Sequence, residues 1–544
     1  MTIHDDDARA TQLTRNFFSG HLNRRQLLKG AGAIGATAVL TQLLVACSPG
    51  GASTGVGTGS SGGSPVKGGT LTAALTGNPS SMDPAAAGIY TSLQVIDNIF
   101  SKLITMDEKG TFIPELATKW TQNDEKTYTF DLRSGVKFHN GEPFSATDVK
   151  YTFDRILAPA TASTYATLYS SLDSVEVVSP TQVVFHLSEP FAPFLTNVAQ
   201  NGEIMNKKAV ESSDPTRNPV GTGPFMFVEW VQSDHITLKK NPDYFLKSQP
   251  YVDKIEFRFL DVNKSRIEAL QSGQLDWVDA VPLNELKALS VNSQYNYVTS
   301  KVAGIPDFIA FNCAKAPFNN KALRQAIAAA IDRKEILDIA YFGAGEEGFM
   351  EVPSGSTWFG GNPPYKNGPN LKVAKQKMKE AGYEKGLDVT FLSLPQYPEL
   401  EKTGVVLKAQ LAKIGINVTI EQLEVTVWFD RYAKGDYELT SAYWSGTIDP
   451  DTFYSAQLVS TSPNNYSKYS NDEVDKLSQQ AKTESDKAKR KALYEKIRAI
   501  VWEESPVVFA HYETINYLMS KTVHGSEITP VLELNLDKVW KEKS

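Results

Sequence analysis

The chain has 544 residues, enough for more than one globular unit with a sizeable core. Apolar residues make up 41%, an ordinary share for a water-soluble fold, and the net charge of −7 gives no reason to expect a nucleic-acid partner, which would want a basic face. With Cys47 committed as argued below, Cys313 stands alone, so no internal disulfide is available and cysteine usage does not identify the compartment.

The leader comes first. Residues 23–29 read Asn-Arg-Arg-Gln-Leu-Leu-Lys and resemble a twin-arginine export signal, with Arg24 and Arg25 as the pair. The apolar run from Gly30 to Ala46 is shorter than the ~20 residues that span a bilayer. It ends Leu44-Val45-Ala46-Cys47, which resembles a lipobox. That resemblance implies cleavage before Cys47 and a diacylglycerol on its thiol. The competing reading is an uncut signal anchor; two export features in register weigh against it. Residues 47–67 follow as a tether rich in Gly and Ser, too poor in apolar surface to fold. Gly30-Ala-Gly32-Ala-Ile-Gly35 and Gly57-Thr-Gly59-Ser-Ser-Gly62 fit the glycine spacing of dinucleotide sites, and Gly59-Ser-Ser61-Gly-Gly63 fits a nucleophile elbow. None joins a strand to a folded helix, so none carries that chemistry.

The body starts near Gly68. Leu71 to Leu75 reads as a strand, and Leu93 to Ile104 has helical apolar spacing. Tyr128, Phe130 and Leu132 alternate with polar residues, and Ser134-Gly135 predicts a hairpin turn to Val136 and Phe138. Ser145-Ala-Thr-Asp148 predicts a capping box ahead of a helix over Val149 to Leu157. Strands are expected at Ser174 to Val178, Gln182 to Leu187 and around Phe225, Phe227 and Trp230. Beyond residue 305 the rhythm becomes α/β. Phe308 to Phe311 reads as a buried strand and Asn320 to Tyr341 as one helix. Thr403 to Ile414 reads as a helix closed by Gly415, then Ile416 to Leu423 as a strand. Asp472 to Glu504 reads as two amphipathic helices.

Several strings, in order, then carry a wider resemblance. They are Phe112-Ile-Pro-Glu-Leu-Ala-Thr-Lys-Trp120, Tyr128 to Gly141, Pro219-Val-Gly-Thr-Gly-Pro-Phe225, Phe311-Asn312 with Pro317 to Ala326, Ile331-Asp-Arg333, and Trp444 with Asp449-Pro450-Asp451. Together they resemble the dipeptide- and oligopeptide-binding (peptide/nickel) family of extracellular solute-binding proteins. The resemblance implies an α/β, two-lobed clam-shell with an extra mixed domain on the first lobe. It places lobe I at 68–109, 216–304 and 516–544, an inserted subdomain at 110–215, and lobe II at 305–515. Ligand would lie between lobes that close by hinge motion.

In peptide-binding relatives the tryptophan matching Trp444 lines the pocket, and a carboxylate three residues on pairs with the peptide amine. Thr447 stands there, and a threonine supplies no charge. The resemblance therefore implies weak binding of free-amine peptides and a preference for sugar-like or amine-blocked solutes held by Trp444, Ser445, Gly446 and Thr447. Asp449 and Asp451 are alternative carboxylates, although Asp-Pro-Asp also reads as a helix start with Asp449 as N-cap and Pro450 at N1. Tyr90, Trp428 and Tyr443 are candidate pocket walls, each also readable as core. The five histidines after the leader, His139, His186, His235, His511 and His524, show no zinc spacing. No nucleophile and base are paired, so an anchored hydrolase is disfavoured.

The expected function is thus capture of a peptide or other small polar solute for an ABC permease with its ATPase subunits. Presentation to a sensor kinase is the alternative output. The membrane is reached through the lipid anchor, and neither a cofactor nor a metal is implied.

Overall fold

The computed structural model describes residues 64–444 and 448–543. Arg24, Arg25 and Cys47 of the leader, and Ser445, Gly446 and Thr447, lie outside the described residues.

A mixed sheet of 11 strands runs through the molecule. Its first half holds Thr70–Leu75, Phe225–Val231, His235–Lys240, Lys254–Phe259 and Trp277–Val278; its second holds Leu387–Ser393, Ile416–Gln422 and Leu439–Tyr443, and the short Glu346–Glu347 pairs at the side with Val507–Ser520. Two long strands join the halves. Tyr295–Phe311 and Val507–Ser520 pair antiparallel from Tyr295 opposite Ser520 to Ala310 opposite Val507. In the second half the helix Pro398–Ala412 is the crossover between the parallel strands Leu387–Ser393 and Ile416–Gln422. Gly415, at φ +87°, turns the chain back into the strand, as its place after the helix predicts.

Inside the stretch 110–215 a separate antiparallel sheet forms, in the order Ala117–Asp124, Thr127–Leu132, Gln182–Leu187, Leu172–Ser179. Period-two alternation buries Tyr128, Phe130 and Leu132 on one side, and Val183, Phe185 and Leu187 with them. The expected hairpin from Leu132 to Phe138 is replaced. Thr127–Leu132 pairs with Ala117–Asp124 and Gln182–Leu187, while Val136 to Phe144 closes its own small loop. The edge that Val136 to Phe138 was expected to fill is taken by a more extended partner 50 residues away. The capping box is present: the Ser145 N–H donates to the Asp148 carboxylate at 3.0 Å, and the helix runs Ala146–Leu157.

Two helices differ from the sequence reading. The apolar period predicts one helix from Asn320 to Tyr341, but Lys321–Ala330 and Arg333–Ile339 are separate. Ile331 is extended, and the Asp332 carboxylate accepts the Glu335 N–H at 3.0 Å, starting a new helix. The Arg333 Nε–H donates to the carbonyls of Gly348 and Phe509, both at 2.8 Å, anchoring the break in the core.

The other helix runs Tyr90–Ile99 instead of Leu93 to Ile104. What stops it is the string Pro219 to Phe225. The Gly223 N–H donates to the Ile99 carbonyl at 2.9 Å. A side chain on Gly221 would put its Cβ 2.1 Å from that same oxygen, and one on Gly223 would put it 2.6 Å from the Ile99 carbon. The glycines therefore serve close backbone contact, not phosphate binding. His139 completes the arrangement: its N–H donates to the Gly221 carbonyl and its Nε2 faces the Gly223 carbonyl at 3.0 Å. Burial pulls the His139 imidazole down to about 4, so it is neutral at physiological pH.

Beyond the helix end, Lys102 is buried among carboxylates from distant segments, with Glu533 at 3.0 Å, Glu203 at 3.6 Å and Asp97 at 3.7 Å. Burial pushes Asp97 and Glu115 up to about 8. The C-terminal segment is stitched to the same helix: Asn98 Nδ2–H donates to the Leu534 carbonyl, and its Oδ1 accepts the Leu536 N–H. The residues after the second long strand thus return to the first half of the sheet.

Replacing Gly221 by alanine is expected to lower stability by about 1–3 kcal/mol, because neither backbone can yield without unpairing the helix end. Equilibrium urea unfolding of Gly221→Ala beside the natural protein measures it. An unchanged midpoint would show that this contact does not constrain the fold.

Candidate functional site

Of the described candidate residues, Trp444 stands where a long strand crosses from one half of the sheet to the other. Trp444 follows directly on the strand Leu439–Tyr443. Its backbone N–H donates to the Pro306 carbonyl at 3.2 Å, and its indole N–H donates to the Thr452 carbonyl at 3.0 Å. The half-buried ring is thereby fixed beside the crossing strand.

Neither Asp449 nor Asp451 is free to serve as a substitute anchor. Arg490 grips Asp449 with two hydrogen bonds, 2.5 and 2.6 Å, and both side chains are almost fully buried. Asp449 Oδ1 also accepts the Asp451 N–H at 2.9 Å, so it supports a helix that begins at Asp451, one residue later than the N-cap reading predicts. Asp451 accepts the Ser455 hydroxyl at 2.6 Å, and burial, with Asp449 beside it, pushes its carboxyl up to about 6.

Trp428 is a correction. It is core, not pocket wall: its indole N–H donates to Thr440 Oγ1 at 2.9 Å and its ring stacks on Tyr432 at 4.8 Å. The helix Val425–Lys434 is amphipathic, and its period turns Trp428, Phe429 and Tyr432 inward together. Tyr443 is half-buried, its ring 5.9 Å from that of Tyr397. Tyr90 opens the helix Tyr90–Ile99 and is half-buried. Burial raises its hydroxyl pKa well above the ordinary value, helped by the Tyr517 hydroxyl and the Asp279 carboxylate beside it.

A cavity of about 190 Å³ lies between the four-stranded sheet and the second half of the main sheet. Phe112 and Tyr128 line one side, Trp358, Ile448 and Arg490 the other, and Val302 of the crossing strand the base. Next to it the two sides touch: the Ala192 N–H donates to the Lys482 carbonyl at 2.9 Å.

Sequence reading missed one face of the strand Val507–Ser520. Its period of two puts His511, Glu513, Ile515 and Tyr517 on the same side, with Asp307 opposite His511 and Ile305 opposite Glu513. His511 Nδ1 is 2.7 Å from Asp307, its Nε2 is 2.8 Å from the Ala344 carbonyl, and the Tyr341 ring stacks on it at 3.5 Å. Among the described residues Glu513 has no hydrogen-bond partner and no cation; its charged neighbours are the carboxylates of Asp307 and Glu399. Burial, then those two negative charges, push Glu513 up to about 8. The signal available in the sequence was a carboxylate inside the apolar run Val507 to Ile515. No group of three or more His, Cys, Asp or Glu able to hold a metal occurs among the described residues. The arrangement offers acceptors and aromatic rings, which is equipment for binding.

The raised Glu513 carboxyl has a pH consequence. Its folded value of about 8 exceeds the ordinary 4.5, so the folded state holds the proton more tightly. The resulting stability is fully present below the unfolded pKa and is lost as pH rises through about 8. Glu513→Gln, which cannot ionise, should therefore gain in melting temperature relative to the natural protein as pH rises from 5 to 8. Thermal unfolding followed by circular dichroism over that range reads the gap. A gap that is constant with pH would contradict the placement of Glu513.

The comparisons with known proteins agree with this geometry. Residues 111–466 match the model of bacterial extracellular solute-binding proteins, family 5, and residues 21–41 match the twin-arginine translocation pathway signal sequence. The chain is 30% identical to a di/tripeptide-binding protein of Pseudomonas aeruginosa, over 84% of this chain and 91% of the relative. Among solved structures it resembles the periplasmic binding protein DppA of Helicobacter pylori in complex with the peptide STSA. The TM-score is 0.74 at 30% identity, covering 88% of this chain and 99% of that one. It also resembles the agropinic acid complex of AgaA from A. tumefaciens R10, with TM-score 0.72 at 28% identity, covering 88% and 99%. No helix among the described residues is long and apolar enough to cross a membrane, and the leader indicates export. The chain belongs to the bacterial extracellular solute-binding proteins, family 5, and is a binding protein rather than an enzyme.

Proposed function

We propose that this chain is the peptide-capturing receptor of an ABC importer, held outside the cytoplasm by a lipid on Cys47. The observation that carries the reading is the joint between the two halves of the sheet. Only two strands connect them, Tyr295–Phe311 and Val507–Ser520, and their ladder is interrupted between Thr299 and Gly304. A bulge of this kind bends a strand pair. The two halves act as lobes about that joint, and a solute touching both binds the closed arrangement better and shifts the population towards it. The permease then reads closure as occupancy.

Peptide is preferred over sugar as the solute for two reasons. Relatives covering most of the chain are named for dipeptides, tripeptides and glutathione. The cleft also displays extended strands and half-buried aromatic rings, Trp444 and Tyr443, suited to a short extended backbone. This reverses the sugar-like preference that Thr447 alone implies.

Calorimetric titration of the soluble body with a panel of di- and tripeptides, and with maltotriose as the sugar control, tests the solute class. Micromolar or tighter binding of a peptide with none of the sugar is expected. The reverse pattern would overturn the peptide reading. For the anchor, Cys47→Ala should move the exported protein from the membrane to the soluble fraction without altering its melting temperature. Persistent membrane association of that variant would contradict lipidation at Cys47.

A further inference from the structure

The peptide reading leaves open what holds the ligand's charged end, because Thr447 carries no charge and Asp449 is paired with Arg490. A set of polar groups between the two halves has no full hydrogen bond among the described residues. The half-buried Glu513 carboxyl, on the crossing strand, is the first. Tyr341, almost fully buried, lies beside Asp307, Thr403 and Glu513, and its hydroxyl makes no hydrogen bond of full geometry with any of them. Four residues along the same face of the strand from Glu513, about 13 Å at strand rise, the buried Tyr517 hydroxyl has the Tyr90 hydroxyl beside it but no hydrogen bond of full geometry. Beside Tyr517 stands Asp279, which is 4% exposed; its Oδ2 accepts the Gln94 amide at 2.7 Å, while its Oδ1 and Gln94 Oε1 are unpartnered.

Buried polar atoms of folded proteins are hydrogen-bonded in the great majority, so a concentration of exceptions along one face asks for an explanation. The chemistry of these atoms narrows it. An ionised carboxylate and an amide oxygen accept hydrogen bonds and donate none; Glu513, which holds its proton at neutral pH in the free protein, releases it when a cation docks beside it. Two tyrosine hydroxyls can donate, but two donors cannot satisfy two carboxylates and an amide oxygen. The missing component is therefore rich in N–H and, at Glu513, positively charged. Asp307 does not fill the role, because His511 already occupies it at 2.7 Å. Glu399 adds negative potential from the start of the helix Pro398–Ala412.

We propose that Glu513, with the Tyr341 hydroxyl beside it, is the subsite for a cationic nitrogen of the ligand, the terminal ammonium of a short peptide. The inference rests on the peptide reading above. It moves the amine anchor from the segment after Trp444 to the crossing strand itself. A ligand bound there touches the joint between the lobes, so charge recognition and closure share one residue.

The test titrates tri-alanine and N-acetyl-tri-alanine into the soluble natural protein, Glu513→Gln and Glu513→Asp. The amine is the only cation of tri-alanine. A loss of at least about tenfold in tri-alanine affinity is expected for Glu513→Gln, with recovery in Glu513→Asp and no loss for the acetylated peptide. Equal tri-alanine affinity in the natural protein and in a folded Glu513→Gln would overturn the subsite and leave the peptide reading intact. If neither tripeptide binds the natural protein, it is the peptide reading that fails, and 1,4-diaminobutane becomes the probe. Binding that is lost in Glu513→Gln upholds the cation subsite; binding that is equal in both, or absent from both, overturns it.

Discussion

The pairing of two strands, Tyr295–Phe311 with Val507–Ser520, is the constraint on which the rest of this structure depends. It makes one continuous sheet out of two halves whose cores are built separately. Gly304 shows how close the two strands come: a Cβ there would lie 2.1 Å from the Glu513 carbonyl oxygen. Next to that glycine the ladder skips, so four residues of one strand stand against a single residue, Ile515, of the other. A joint with fewer ladder bonds bends at lower cost than one with a full set. The proposed closure and the placement of Glu513 rest on the same local geometry.

The buried charges of this protein are mostly answered by opposite charges. Lys102 lies among Asp97, Glu203 and Glu533; Arg490 grips Asp449; Arg498 grips Glu351 with Tyr454 donating to the same carboxylate. All but the Lys102–Asp97 pair draw their members from segments far apart in sequence. Such pairs add little net stability over apolar packing, but breaking one costs several kcal/mol. They therefore fix which segments belong together. Against that background, an unanswered carboxylate on the crossing strand stands out, and a ligand is the partner that remains.

Much of the architecture was legible locally. The capping box at Ser145 and Asp148, the stop at Gly415 and the two charged helices after Asp472 are set by residues within a few positions of each other. So is the alternation of Tyr128, Phe130 and Leu132. What was illegible depended on partners elsewhere in the chain. The apolar period runs past Ile99, but the helix ends there because Gly221 and Gly223 arrive from 120 residues away. The period from Asn320 to Tyr341 is unbroken, yet Asp332 caps a new helix because Arg333 is needed at the carbonyls of Gly348 and Phe509. At the site the same rule held. Trp444 is a candidate through its motif alone. Asp449 was a fair candidate until Arg490 was seen to take it, and Trp428 was a fair aromatic until its indole was found bonded to Thr440. Glu513 had no motif; only the register of the long strands shows which face it shares.

Closure about the two-strand joint is the central claim, and a distance across the cleft tests it most directly. Lys109 and Ser485 are exposed and stand on opposite sides of the cavity. Spin labels on Lys109→Cys and Ser485→Cys, read by pulsed electron resonance with and without saturating tri-alanine, report the separation of the two sides. The account predicts a broad distribution without peptide that narrows and shifts to shorter distance when peptide is bound. A distribution unchanged by a peptide that calorimetry shows to be bound would contradict it.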